Sequence, residues 1–179
     1  MTVTLAQLDT ISEAEAAFKL AACCGSSKWV SGMVSRRPFG SREKLLAASD
    51  EIGLTLQPSD WLEAFEHHPR IGERRSASSV IVTAADWSTG EQSASAKASE
   101  DTRAALLEAN VEYEKRFGFI FIIFASGRNA EDILAALRER LANEPDAEIF
   151  IAAREQRKIT RIRLEKMIPA SRGPGGARP

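Results

Sequence analysis

Apolar side chains recur along most of this chain at intervals of three and four, the spacing that lines one face of an α-helix, and residues that start or stop helices bound each run. Ser12 with Glu15 three residues later forms a capping box, and Ala16, Phe18, Leu20 and Ala21 behind it predict a helix that ends near Gly25. Ser26 and Ser27 cap the next run, in which Trp29, Val30, Met33 and Val34 recur before Pro38 closes it. Ser41 opens a third helix carrying Leu45 and Leu46. Asp60 with Glu63 reads as another capping pair ahead of Trp61, Ala64 and Phe65, and this short helix delivers His67 and His68. Pro69 disfavours helical backbone at the residue before it, so the chain turns at His68, and Gly72 permits a second bend.

From Glu73 to Asp86 the residues are polar or β-branched without a clear period, which predicts a connecting loop able to close over a site. Residues 88–117 carry the longest helical pattern, in one piece or two, with Leu106, Asn110, Tyr113 and Phe117 on one stripe and Gly118 as the C-cap. Aromatic and β-branched residues then crowd the run 119–125, which reads as a buried extended segment or the start of a buried turn, and a lone strand builds no sheet. Asn129 with Asp132 caps a helix bearing Ile133, Leu134, Leu137 and Leu141 that Asn143 and Pro145 end, and the last helix runs from about Pro145 to Ile168. The expectation is an all-α, single-domain bundle of about seven to nine helices over residues 1–169. A Gly-, Pro- and Arg-rich tail, expected to be disordered, follows over 170–179.

Composition narrows the function classes. A chain of 179 residues with 44% apolar and 27% charged side chains is of a size and balance to fold around one core. A net charge of -1 leaves no basic excess to neutralise phosphates or an anionic bilayer, so neither nucleic acid nor membrane is an expected partner. The start of the chain lacks the basic and apolar blocks of a secretory signal, and the run 119–125 is far short of the roughly 20 residues a spanning helix needs. Cys23 and Cys24 are adjacent, which suits neither a disulfide framework nor a CxxC site. Together these features predict a cytoplasmic protein.

Few residues are suited to carry chemistry. Neither His67 nor His68 has a partner at metal-ligand spacing, and no phosphate-cradling glycine loop or GxSxG elbow occurs, so neither a metal nor a bound nucleotide is expected. His68 before Pro69 is a candidate general acid or base, because an imidazole with an ordinary pKa near 6.5 moves protons close to neutrality; a surface or helix-capping role is the alternative. Glu91 closes the capping box Ser88, Thr89, Gly90, Glu91. It either only caps that helix or, with Gln92, stands beside free amides that bind a polar ligand. Arg163 falls on the stripe defined by Ile149, Ala152, Ala153, Gln156 and Ile159, whereas Arg161 points about 160° away. A guanidinium on a buried stripe is costly unless paired, which points to a carboxylate, from the protein or from a substrate. Cys24 reads as a small buried hydrophobe more readily than as a reactive thiol, and Ile151 and Ile162 on the opposite side of the last helix suit either crowded packing or a homodimer contact.

The stretches Cys24-Gly25-Ser26-Ser27-Lys28-Trp29, Arg37-Pro38-Phe39, His68-Pro69-Arg70-Ile71-Gly72, Trp87-Ser88-Thr89-Gly90-Glu91-Gln92, Asn110-Val111-Glu112-Tyr113, Arg116-Phe117-Gly118-Phe119 and Glu155-Gln156-Arg157-Lys158-Ile159-Thr160 carry a resemblance. Taken in order, they resemble the 2-oxo-4-hydroxy-4-carboxy-5-ureidoimidazoline (OHCU) decarboxylases, which complete the conversion of urate to (S)-allantoin. The resemblance implies an all-α fold, a homodimer, no cofactor, and catalytic roles for His68, Glu91 and Arg163. It also implies that Pro69, Ser88, Thr89, Gly90 and Gln92, with the backbone of Phe121, Ile122, Ile123, Phe124 and Ala125, hold the substrate. Phe124 departs from the smaller residue, often cysteine, expected there, while leaving a backbone contact available. The competing readings are a noncatalytic helical module binding a purine-derived ligand or a partner chain, and a cofactor-free lyase or hydrolase for a related ureide.

Overall fold

The computed structural model describes residues 2–70 and 99–169. Among these are eight helices and no strand: α1 (Leu5–Thr10), α2 (Glu13–Ala21), α3 (Ser27–Ser35), α4 (Arg42–Thr55), α5 (Pro58–Glu66), α6 (Glu100–Phe117), α7 (Ala130–Arg140) and α8 (Pro145–Met167). The all-α expectation holds. Polar side chains start these helices where the sequence places them: Ser12, Ser26, Ser41 and Asn129 each accept an amide of the first turn, and Gly118 ends α6 in the left-handed region at φ 78°.

Two local readings change. The short helix α1, capped by Thr4 and Gln7, is too brief to show a period in the sequence. Helix α5 begins at Pro58, not at Asp60: Gln57 is its N-cap, Asp60 accepts the Gln57 amide (2.8 Å), and Glu63 is thereby released to bond another helix. Proline suits a first helical turn because its missing N–H would have no helical partner there.

The core has two parts. Trp29, Met33, Leu45 and Leu20 anchor one, between α2, α3 and α4 and the end of α8. Phe65, Leu106, Tyr113, Phe121, Ile133 and Leu137 anchor the other, between α6, α7 and the first half of α8. Trp61 packs against both. Helix α8 crosses from one part to the other: Ala152 and Ile159 belong to the second, Leu164 and Met167 to the first. Gln156, Thr160 and Arg163, all buried, lie on this crossing. Polar groups at such depth are retained only with partners.

Residues 119–125 run irregularly, and five of the seven are buried. They are held by a buried polar network. Arg140 donates to the Ile122 carbonyl (2.8 Å) and to Glu148 (2.7 Å), the Tyr113 hydroxyl donates to Glu148, and Asn143 donates to its other oxygen (2.6 Å). Burial and the neighbouring Glu148 carboxylate push the Tyr113 hydroxyl well above its ordinary pKa, so it remains a donor. Among the described residues no helix is long and apolar enough to cross a membrane.

Candidate active site

The site is assembled at the junction of the two cores, and it starts with a close approach. A Cβ on Gly25 would stand 2.2 Å from His67 Cδ2 and 2.8 Å from His67 Cβ, so the chain leaving α2 passes the end of α5 where only glycine fits. The next residues fasten that approach. Glu63 of α5 accepts the Ser27 amide (2.9 Å) and its hydroxyl, and Lys28 pairs with Asp60 (3.0 Å). Beyond α5, Arg70 grips Glu114 of α6 with two nitrogens. The histidines therefore sit on a chain exit held at both ends. His67, the C-cap, is exposed; His68 is half-buried, and its amide donates to the Phe65 carbonyl (3.0 Å).

The His68 ring is directed at α8, where Gln156 is 4% and Arg163 3% exposed. These residues are seven apart, two helical turns, so both project towards the same face, with Thr160 between them. Loss of water by burial and the Arg163 guanidinium both disfavour a second proton on the imidazole, and His67 acts in the same direction. The Gln156 amide opposes them without prevailing. The His68 pKa falls from 6.5 to about 3, which leaves a neutral imidazole at neutral pH beside a permanent cation. Such a pair can bind an anion at the guanidinium and exchange a proton at the ring.

Cys24 completes the group. Burial pushes its thiol pKa up, against the opposing pull of the Ser26 amide, the Thr160 hydroxyl and Arg163, so it stays a neutral filler, as the sequence suggests. A crevice of about 10 Å³, lined by Cys24, Trp29, Trp61, Gln156 and Thr160 among others, runs behind it. A roomier groove of about 630 Å³ lies at the seam of the chain ends, around Thr4, Gln7 and Arg42. Arg42 is already bonded there to the Ile168 carbonyl (3.1 Å), and no histidine lines the groove, so its size does not make it the chemical site.

Of the residues singled out in the sequence, His68 and Arg163 come together, and Pro69 follows His68 as an exposed residue. Glu91, with Ser88, Thr89, Gly90 and Gln92, lies outside the described residues, as does the expected tail. Phe121, Ile122, Ile123 and Ala125 are buried and Phe124 half-buried. The Phe124 amide donates to Glu155 (2.9 Å), next to Gln156 on α8, so the backbone contact expected to be available at Phe124 is engaged within the protein. Burial raises the Glu155 pKa, but Lys158 and this amide outweigh it and hold the carboxyl below its ordinary value. Sequence reasoning misses Gln156 as a neighbour of His68, although the buried stripe names it; a polar residue on an apolar stripe is the signal. Among the described residues no group of three or more His, Cys, Asp or Glu is arranged to hold a metal ion.

Fold and site together define an all-α protein in which an imidazole from the end of α5 meets an amide and a guanidinium of the last helix. The chain belongs to the OHCU decarboxylase family, whose model matches residues 9–165. It is 45% identical over 146 residues to the uric acid degradation bifunctional protein TTL of Arabidopsis thaliana, covering 81% of this chain and 45% of that one. It is 33% identical to the 2-oxo-4-hydroxy-4-carboxy-5-ureidoimidazoline decarboxylase of Amia calva, covering 75% and 76%. Against a bifunctional uric acid degradation protein of Bacillus sp. it covers 32% of the relative, so the chain spans less than half the length of these bifunctional proteins. A crystal structure of OHCU decarboxylase in the presence of (S)-allantoin superposes with a TM-score of 0.72 at 38% identity, covering 83% of this chain and 96% of that one.

Proposed function

We propose that this chain is a carboxy-lyase that converts OHCU to (S)-allantoin and CO2, the last step from urate to allantoin. The observation that carries the reading is a neutral His68 beside the buried Arg163 on the fold of this family. The substrate carries its carboxylate next to a ring C=N bond. When the bond to CO2 breaks, its electron pair enters the adjoining ring C–C bond while the C=N pair moves to nitrogen. That nitrogen takes up a proton. The resulting enol then takes a proton on the ureido-bearing carbon and returns its hydroxyl proton, giving the carbonyl of allantoin. The electron sink belongs to the substrate, so the reaction places no demand on an organic cofactor or a metal.

Each residue then has a task. Arg163 orients the anionic substrate; burial and the Arg163 charge together keep His68 neutral, and the arriving negative charge offsets the second of these, easing proton exchange at the imidazole. His68 relays the proton that sets one stereochemistry. Glu91 fixes the hydroxyl or ureido group, while Ser88, Thr89, Gly90 and Gln92 offer cap amides and polar side chains; the capping-box sequence supports this assignment. Pro69 shapes the wall beside His68, and residues 121–125 bound the pocket with backbone groups other than the Phe124 amide and the Ile122 carbonyl, which are bonded within the protein. The same reading carries a homodimer, supported by exposed Phe150 packed edge-on to Trp61, and a cytoplasmic location, supported by two buried free thiols.

The test compares the adjacent histidines. General acid-base catalysis typically contributes about 100-fold to 10,000-fold, so His68→Asn is expected to fold and lose turnover on that order, while His67→Asn stays active. Turnover is read as the circular dichroism of product formed from freshly generated substrate. Equal activity of the two variants removes His68 from the mechanism.

A further inference from the structure

We propose that Gln156 is a positioning residue that fixes which nitrogen of His68 carries the proton. Its side chain is 96% buried, and it lies on α8 at the crossing of the two cores. Nε2 donates to the Thr160 Oγ1 one turn along (3.2 Å), which sets the plane of the amide and turns Oε1 the other way. Oε1 is buried and has no hydrogen bond of good geometry from the described residues, and the Gln156 side chain lies within interaction range of the His68 ring. An amide oxygen only accepts. Facing a neutral imidazole it selects the tautomer whose N–H points towards α8 and leaves the lone pair of the other nitrogen for the reacting group. A buried acceptor left unmatched is unfavourable, so the wrong tautomer carries that penalty as well.

The other neighbours of His68 act differently. Arg163 bears only donors and a permanent charge, and that charge disfavours imidazolium, the form with both nitrogens protonated. His67 lies on the exposed side, against Gly25, and the Cys24 thiol is neutral. Gln156 thus stands to His68 as an orienting group stands to a catalytic base, but without charge. A carboxylate in its place would stabilise imidazolium and oppose Arg163; the amide holds the ring while letting it stay neutral.

The kinetic part of the test rests on the decarboxylase reading, and the spectroscopic part does not. The ring nitrogens of the full chain, labelled with nitrogen-15, report the tautomer of His68 without substrate, and His67→Asn removes the overlapping signals. The wild-type chain is expected to show one tautomer, and Gln156→Leu, similar in volume, a mixture. With substrate, Gln156→Leu is expected to lower kcat about tenfold, the size of one hydrogen bond, with KM changed less than about twofold. Gln156→Glu is expected to move the acid limb of kcat/KM to higher pH. A single unchanged tautomer in Gln156→Leu overturns the proposal, as does an unshifted acid limb in Gln156→Glu. Should Gln156→Leu fail to fold, Gln156→Met, which also lacks the amide oxygen, decides by the same tautomer readout, a single unchanged tautomer again overturning the proposal. If the wild-type chain gives no enzymatic optical activity, the function falls while the tautomer measurement still decides the role of Gln156.

Discussion

A histidine kept neutral by its surroundings makes stability depend on pH in one direction. The folded His68 takes its proton only near pH 3, whereas the unfolded chain takes it near 6.5, so between those values the unfolded state binds more protons. The contribution of His68 is therefore fully present above about pH 6.5, is lost as pH falls through that window, and changes no further below about 3. Urea unfolding at pH 7 and pH 4.5 checks this: the loss of stability at pH 4.5 is expected to be smaller in His68→Asn than in the wild-type chain. At this scale much of the site is legible in the sequence. His68 stands out through Pro69, and Arg163 through its place on an apolar stripe, because both signals are local and periodic. The role of Gln156 is not legible, since it depends on which side chain from a distant helix meets the amide. Nor does the sequence reveal that Glu155 engages the Phe124 amide.

Helices here are positioned by a few polar contacts, and these predict larger effects than their number suggests. Gly25→Ala places a carbon where His67 Cβ and Cδ2 already are. Overpacking of this kind costs about 1–3 kcal/mol, and it shifts the α5 exit that carries His68. Gly25→Ala is therefore expected to be less stable and to lose activity, even though His67→Asn remains active. In the second core, Arg140→Ala leaves Glu148, with no exposed surface, without its charge partner. Breaking one half of a buried pair costs about 3–5 kcal/mol, so the urea midpoint should fall sharply, and replacing Arg140 and Glu148 together by apolar residues should cost less. Most helix boundaries are legible because caps are local chemistry: Ser12, Ser26, Ser41, Asn129 and Gly118 all act where the sequence puts them. The pair Asp60 and Glu63 misleads for the opposite reason. Glu63 follows the spacing of a capping box, yet its carboxylate is used by Ser27, 36 residues earlier in the chain, and no local pattern encodes that contact.

For the whole molecule, the apolar side chains left outside the two cores matter most. Phe150 is 57%, Leu54 69% and Val111 68% exposed, and Phe150 packs edge-on to Trp61 at 5.2 Å between ring centres. Surface of this kind is expected to be covered in a homodimer. Sedimentation equilibrium is expected to give a dimer, with Phe150→Glu raising its dissociation constant about thirtyfold or more; a monomer at all concentrations contradicts it. In the proposed reaction an imidazole, with a guanidinium and its partners on α8, delivers the proton to one face of the enol left by CO2. OHCU also decomposes unaided, to racemic allantoin, so disappearance of substrate alone does not decide the matter. The direct measurement follows circular dichroism while freshly generated substrate decays with and without the purified chain. A rapid rise of the signal of (S)-allantoin with the protein is expected; optical activity that appears no faster than in its absence contradicts the account.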